Sequence, residues 1–283
     1  HDQFSRVLPS GVREAFVALA DAEPLVGKLF DYRFKKGTDL WGYNFGDLFL
    51  RAMTDVAGDL EKAVKESSKV LAVRGHIVLS TLANISLIAH HQDKTETIGK
   101  ENILNSVSPI ERVYLRPHSA KASPEFISAI TKADAVIIAP GALYTETIPP
   151  LLLEGVKEAF AASKAVTIYV MNLMTTENET ERYRASDHLK AITGHLGVNR
   201  IDYCIVNKGR IPDDLLKAYA QEGVAPVEID AGDLAKLGTT PVEETVVESA
   251  GPLIRHDPLR LTGIFLDLIS ESRKRKPHAR PQD

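Results

Sequence analysis

Four short runs rich in β-branched residues, Ile110–Leu115, Ala135–Ile138, Ala165–Leu173 and Asp202–Val206, alternate with helical patterns at Ser123–Thr131, Pro149–Ala162, Thr180–Leu196 and Asp213–Glu222. Strict alternation leaves few folds open, because it demands a parallel sheet covered by helices on both faces with right-handed crossovers. The expected fold class is α/β: a three-layer, Rossmann-like, doubly wound and mainly parallel sheet. Upstream, His76–Leu79 and Ile85–His91 read as short strands. Glu96–Ile98, after the Gln92-Asp93 turn signal, is expected to pair back on the second of them as a small antiparallel β appendage. Earlier still the pattern is helical. Ser10 is positioned to cap a helix reaching Asp21, and helices are expected over Phe45–Thr54 and Asp59–Leu71, the last with Leu60, Val64 and Leu71 as its apolar stripe.

In such a sheet, ligands lie beyond the carboxyl ends of the strands near the point where strand order reverses. Three strand ends carry small, hydroxyl or amide residues: Pro140–Thr145, Asn172–Thr176 and Asn207–Gly209. The first is the most informative. An apolar run ends in Pro140-Gly141, Thr145 and Thr147 offer hydroxyls, and Pro149 and Pro150 suit the first turn of a helix. That order predicts a turn with unpaired backbone N–H groups and a helix N-terminus, both of which favour an anion. Strand-turn-helix joints also occur throughout α/β proteins without any ligand, and polar strand ends serve solubility.

At 283 residues the chain exceeds a typical domain, yet α/β domains reach this size unsplit, so one α/β domain over residues 1–272 is expected, followed by a basic tail at 273–283. A formal charge of −4 provides no field for nucleic acid or anionic lipid. No apolar stretch is long enough to span a membrane, and His1–Arg6 lacks the apolar region of a signal peptide. Cys204 is the single cysteine, which rules out an intramolecular disulfide and fits a reducing, cytoplasmic setting. His90 and His91 point to opposite faces of one strand, and His188 and His195 share a helix face without a carboxylate set. With no nucleophile elbow, Walker loop or zinc-spaced cluster, no catalytic residue and no metal site is assigned.

Six segments, Leu8–Arg13, Phe30–Phe34, Gly42–Leu48, Ala139–Thr145, Tyr169–Thr175 and Ile254–Asp257, run in one order along almost the whole chain. Together they resemble the gluconeogenesis-factor (YvcK-type) family, relatives of the 2-phospho-L-lactate transferases. The resemblance implies a cytoplasmic regulatory protein that binds a nucleotide-sugar of the UDP-sugar class and acts through a protein partner, linked to carbon metabolism and to cell-envelope and cell-shape control. It implies nucleotide and phosphate contacts from Gly141, Ala142, Leu143, Tyr144, Thr145, Asn172 and Arg255, with Gly11, Arg13, Gly46, Asp47 and Asn207 as a second group. Arg255 suits a diphosphate because a guanidinium donates in pairs and stays charged; the alternative is an ion pair with Asp257. A homodimer is expected, with Trp41 and Tyr43 as loop aromatics in need of cover.

The departures from the family pattern are specific. Its opening strand with a glycine-rich GGGTG-type loop and its Asp-Asp-Gly-Gly-Ser-Ser segment do not occur before Gly11. Gly11–Glu14 replaces Gly-Asp-Ile-Arg-Asn, Tyr43 and Asp47 replace a histidine and an asparagine, and Thr176–Thr180 replaces Gln-Pro-Gly-Glu-Thr. Asp47 repels a phosphate unless a divalent cation lies between them. Two alternatives follow: a transferase using Mg²⁺ held by Asp47 and Glu146, and an interaction protein that has lost its ligand. No cofactor is firmly implied.

Overall fold

The computed structural model describes residues 11–21, 24–38, 40–248 and 251–275. Ser10, expected as a cap, and residues 276–283 of the expected tail lie outside them. The chain divides into two compact units, residues 1–82 and 83–283.

The first unit is helical. It comprises α1 (Val12–Leu19), α2 (Pro24–Phe30), α3 (Phe45–Ala57) and α4 (Leu60–Val70). The Asp59 carboxylate caps α4 by accepting from the Lys62 N–H at 2.8 Å, and Gly58 ends α3 in the left-handed conformation at φ 89°. Phe16, Phe30, Leu50, Val64 and Leu71 form its core. His76–Leu79 is not a strand. Ile77 and Leu79 pack on this helical core, so their apolar side chains are covered there and not in a sheet.

The second unit holds two sheets. β1 (Ser86–His91), β2 (Glu96–Ile98) and β3 (Ile110–Arg116) form an antiparallel sheet in the order β2-β1-β3, with α5 (Lys100–Leu104) between β2 and β3. The β1–β2 hairpin is as the sequence predicts, whereas β3 joins this sheet and not the parallel one. Its burial explains the difference: Ile110, Val113 and Leu115 are buried while Glu111, Arg112 and Arg116 are exposed, the one-sided pattern of an antiparallel strand.

The parallel sheet runs β4-β5-β6-β7, from β4 (Ala135–Ile138) through β5 (Val166–Val170) and β6 (Tyr203–Asn207) to β7 (Thr240–Glu244). β5 is buried along its whole length. On one face Tyr169, Cys204 and Val206 pack with α6 (Pro124–Lys132), α7 (Val156–Ala162), α8 (Ala185–Leu196) and α10 (Ala231–Lys236). On the other, Val166, Ile168, Val170, Tyr203 and Ile205 pack with α9 (Asp213–Gln221) and α11 (Pro258–Arg275). Three layers result. The strand order proceeds in one direction, so the reversal that defines a doubly wound sheet is not found among the described strands.

Two predicted helices are interrupted. Pro149–Leu152 is a separate 3₁₀ turn, because the Glu154 backbone pairs with Ala120 and Ala122 and Gly155 adopts φ 94° before α7 begins. Residues 180–182 are likewise turn, Arg184 forms an isolated bridge with Glu228, and α8 starts at Ala185. The basic segment expected as tail begins inside α11, where Arg273 meets Asp134 at 2.9 Å.

Candidate functional site

The chain leaves β4 through a turn whose polar groups are already paired. Asn172, just beyond β5, clamps Gly141 from both sides: its Oδ1 accepts the Gly141 N–H at 3.2 Å and its Nδ2 donates to the Gly141 carbonyl at 2.8 Å. A Cβ at Gly141 would stand 3.1 Å from Glu146 Oε2, so a side chain here would press on that carboxylate. Residues Leu143–Thr147 wind into a single wide π turn, with the Thr147 N–H reaching the Ala142 carbonyl at 3.0 Å.

Two carboxylates take the donors expected to face an anion. Glu146 accepts from the Ala142 N–H at 3.3 Å and from Lys100 Nζ at 2.6 Å. Glu179 accepts from the Tyr144 N–H at 3.1 Å and the Thr145 hydroxyl at 2.7 Å. The expectation of unpaired N–H groups is thereby corrected, along with that of a long helix starting at the turn. Glu179 is the residue the sequence reading missed. Burial raises its carboxyl pKa, and the hydrogen bonds from Thr145 and Tyr144 work against that rise. Sitting in the irregular Thr176–Thr180 segment, it has no periodicity to betray its burial.

A second knot lies at the end of β6. Asn207 Oδ1 accepts from the N–H groups of Gly209, Val246 and Val247 at 3.1, 3.1 and 3.3 Å, and its Nδ2 donates to the Gly209 carbonyl at 2.8 Å. Val247 pairs with His256, and His256 Nε2 donates to the Met171 carbonyl at 3.0 Å. The segment containing Arg255 is therefore tied to the carboxyl ends of β5 and β6. A cavity of about 240 Å³ opens there, with Asn172, Asn207 and Gly209 on its polar side and Leu173, Ile211 and Val227 on its apolar side.

Arg255 is exposed, and its guanidinium makes no hydrogen bond or ion pair among the described residues. Asp257, the alternative partner, is engaged otherwise: its Oδ1 accepts from the Leu259 and Arg260 N–H groups at 2.9 and 3.0 Å, capping α11.

Gly11, Arg13, Gly46 and Asp47 belong to the helical unit. Gly11 precedes α1 at φ 89°. A Cβ at Gly46 would meet the Arg13 stem and the Phe30 carbonyl at 2.9 Å, so Gly46 lets α3 pack there. Arg13 pairs with Asp31 and Glu14 and lies 3.9 Å from Asp47. Asp47 has its pKa raised by partial burial, against the pull of Arg13. Its charge is thus opposed by a guanidinium.

Mg²⁺ finds a poor fit. Both Glu146 oxygens are engaged, one by an ammonium, Asp47 belongs to the other unit, and among the described residues no group of three or more His, Cys, Asp and Glu side chains is placed to hold a metal ion. The helical histidines are structural. His195 Nδ1 donates to the Ala191 carbonyl at 2.7 Å and Nε2 accepts the Val113 N–H at 3.0 Å. His188 is fully buried, which pushes its pKa down to about 4. Cys204 is buried too, its thiol pushed up to about 12 and inert. No helix among the described residues is long and apolar enough to cross a membrane.

Fold and strand ends together define a three-layer α/β protein with polar knots at the carboxyl ends of its parallel strands. The family model for 2-phospho-L-lactate transferase CofD matches residues 2–247. The gluconeogenesis factor of Bacillus subtilis is 38% identical over 93% of this chain and 83% of its own length. The putative gluconeogenesis factor of Aquifex aeolicus is 38% identical over 92% of this chain and 80% of its own. A crystal structure of a Bacillus halodurans protein superposes with a TM-score of 0.88 at 38% identity, covering 91% of this chain and 83% of that one. The chain belongs to the CofD-related gluconeogenesis factor family.

Proposed function

We propose that this protein is a cytoplasmic regulator that binds a nucleotide-sugar of the UDP-sugar class, in a site of Rossmann type at the carboxyl ends of β4, β5 and β6. Ligand occupancy alters a surface read by a protein partner, which links the protein to carbon metabolism and cell-envelope control. The observation that carries this reading is Arg255: an exposed guanidinium without an ion-pair partner among the described residues, on a segment fastened beside the Asn172–Asn207 cavity. A diphosphate supplies the paired acceptors such a fork requires. The Gly141–Thr145 turn receives the phosphates once Glu146 or Glu179 releases its N–H groups, and Asn172 keeps one donor and one lone pair for a base or sugar.

Isothermal titration with UDP-N-acetylglucosamine is the direct test. Binding is expected, and Arg255→Ala should weaken it roughly ten- to a hundredfold, the cost of a lost charged hydrogen bond. No heat at millimolar ligand would sink the proposal, and an Arg255→Ala variant binding within about twofold of the parent would remove that residue from the site. The match to the transferase model favours a second reading, transfer from a nucleotide-activated substrate. Turnover abolished by EDTA would promote it. The paired N–H groups of the turn favour a third, an interaction protein without ligand, marked by thermal stability that no nucleotide or sugar changes.

A further inference from the structure

A concavity larger than the Asn172–Asn207 cavity lies against β3 and α8. It occupies about 540 Å³, within the range of small-metabolite sites, and shares with the nucleotide-sugar reading only Tyr144, whose backbone N–H belongs to the turn and whose ring lines this concavity. Its floor is aromatic. Tyr144 meets Tyr183 edge to face at 6.2 Å and His195 at 5.8 Å, and the two tyrosine hydroxyls share a hydrogen bond of 2.6 Å. One proton makes that bond, so the other hydroxyl proton of the pair is left to donate elsewhere. His195 has both ring nitrogens engaged and contributes only its ring face.

The walls carry Glu111, Arg112, Asp187 and Lys190. Each acid is already matched. Glu111 accepts from Lys94 at 2.8 Å and sits 3.3 Å from His90; Asp187 accepts from Lys190 at 3.0 Å and from the Arg184 N–H at 3.1 Å. Arg112 remains, exposed and without a hydrogen bond or ion pair among the described residues. Glu111, Asp187, Arg112, Lys190 and Lys94 together sum to a single positive charge. Gly194 completes the rim, and a Cβ built there meets nothing within 4 Å.

We propose that this concavity is a second ligand site, for a small planar carboxylate. The carboxylate sits on the Arg112 fork and takes the spare tyrosine proton; the flat carbon skeleton lies on the Tyr144–Tyr183–His195 floor. A guanidinium and a hydroxyl beside edge-to-face aromatic rings recognise that combination of charge and shape. The two sites share only Tyr144, by its ring and hydroxyl here and by its backbone N–H there, and this one needs no nucleotide-sugar.

The test uses the full chain and two probes of equal shape, benzoate and its neutral counterpart benzamide, followed by amide NMR. Benzoate should give saturable shifts at Val113, Tyr144, Tyr183 and the Lys190–His195 turn, with benzamide at least about tenfold weaker. Arg112→Ala should cost about the same factor. Gly194→Leu fills the rim with a better helix former whose Cβ meets nothing within 4 Å, so it should melt no lower than the parent and still lose benzoate binding. Shifts confined to other regions, equal affinity for benzamide, or benzoate affinity within about twofold of the parent in both variants would overturn the assignment.

Discussion

Single amide side chains hold the strand ends together, and Asn207 shows how much one residue can carry. Its Oδ1 serves three backbone N–H groups, two of them across a separation of 39 and 40 residues. Asn207→Ala leaves those donors half-buried without an acceptor, and an unsatisfied buried donor costs roughly 1–3 kcal/mol. A loss of about 3 kcal/mol in urea unfolding is expected; a loss under about 0.5 kcal/mol would show that water replaces the amide. Arg255 differs in kind. Exposed and unpaired among the described residues, it should contribute almost nothing to stability, so its alanine variant separates binding from folding cleanly. Asn172 and Asn207 were legible as candidates because polar residues at the ends of apolar runs stand out, whereas Arg255 was legible only through the family resemblance. Glu179 was not, since its burial is decided by Thr145 and Tyr144, thirty-four and thirty-five residues away.

Among the elements, α8 carries the clearest dependence on pH. His188 is fully buried against the Tyr183 ring at 5.7 Å, and burial lowers its pKa from 6.5 to about 4. Between those values the unfolded chain binds a proton that the folded chain does not, so stability is complete above pH 6.5 and falls as pH drops toward 4. The full loss is about 3 kcal/mol, and His195 and His256, also lowered by burial, act in the same direction. Urea titrations across this window should show the slope, and His188→Gln should flatten part of it. A parent protein equally stable at both ends would contradict a neutral buried His188. Strands divide by how their burial is achieved. β5 and β6 are apolar on both faces and could be read directly, whereas β7 contains Pro241, Glu243 and Glu244 and reads as loop.

For the whole molecule, we propose a homodimer. Of the two loop aromatics expected to need cover, Trp41 is 61% exposed while Tyr43 is half-buried, and Tyr32 is a further exposed aromatic that gains from cover. Light scattering is expected to give twice the 31.0 kDa chain mass, and a monomer at micromolar concentration would refute the proposal. The sequence by itself determined the β/α alternation, the three-layer parallel sheet over residues 135–207 and the family, because apolar runs of fixed period must be buried whatever their neighbours. Only the tertiary structure decided that β3 turns into the antiparallel sheet, that the helix expected from Pro149 breaks at Gly155, and that the turn after β4 has its N–H groups taken by Asn172, Glu146 and Glu179. The reason is physical. Periodicity reports which face of a segment avoids water, while the partner of each polar group is chosen by whichever donor or acceptor the fold brings within 3 Å, often from more than thirty residues away.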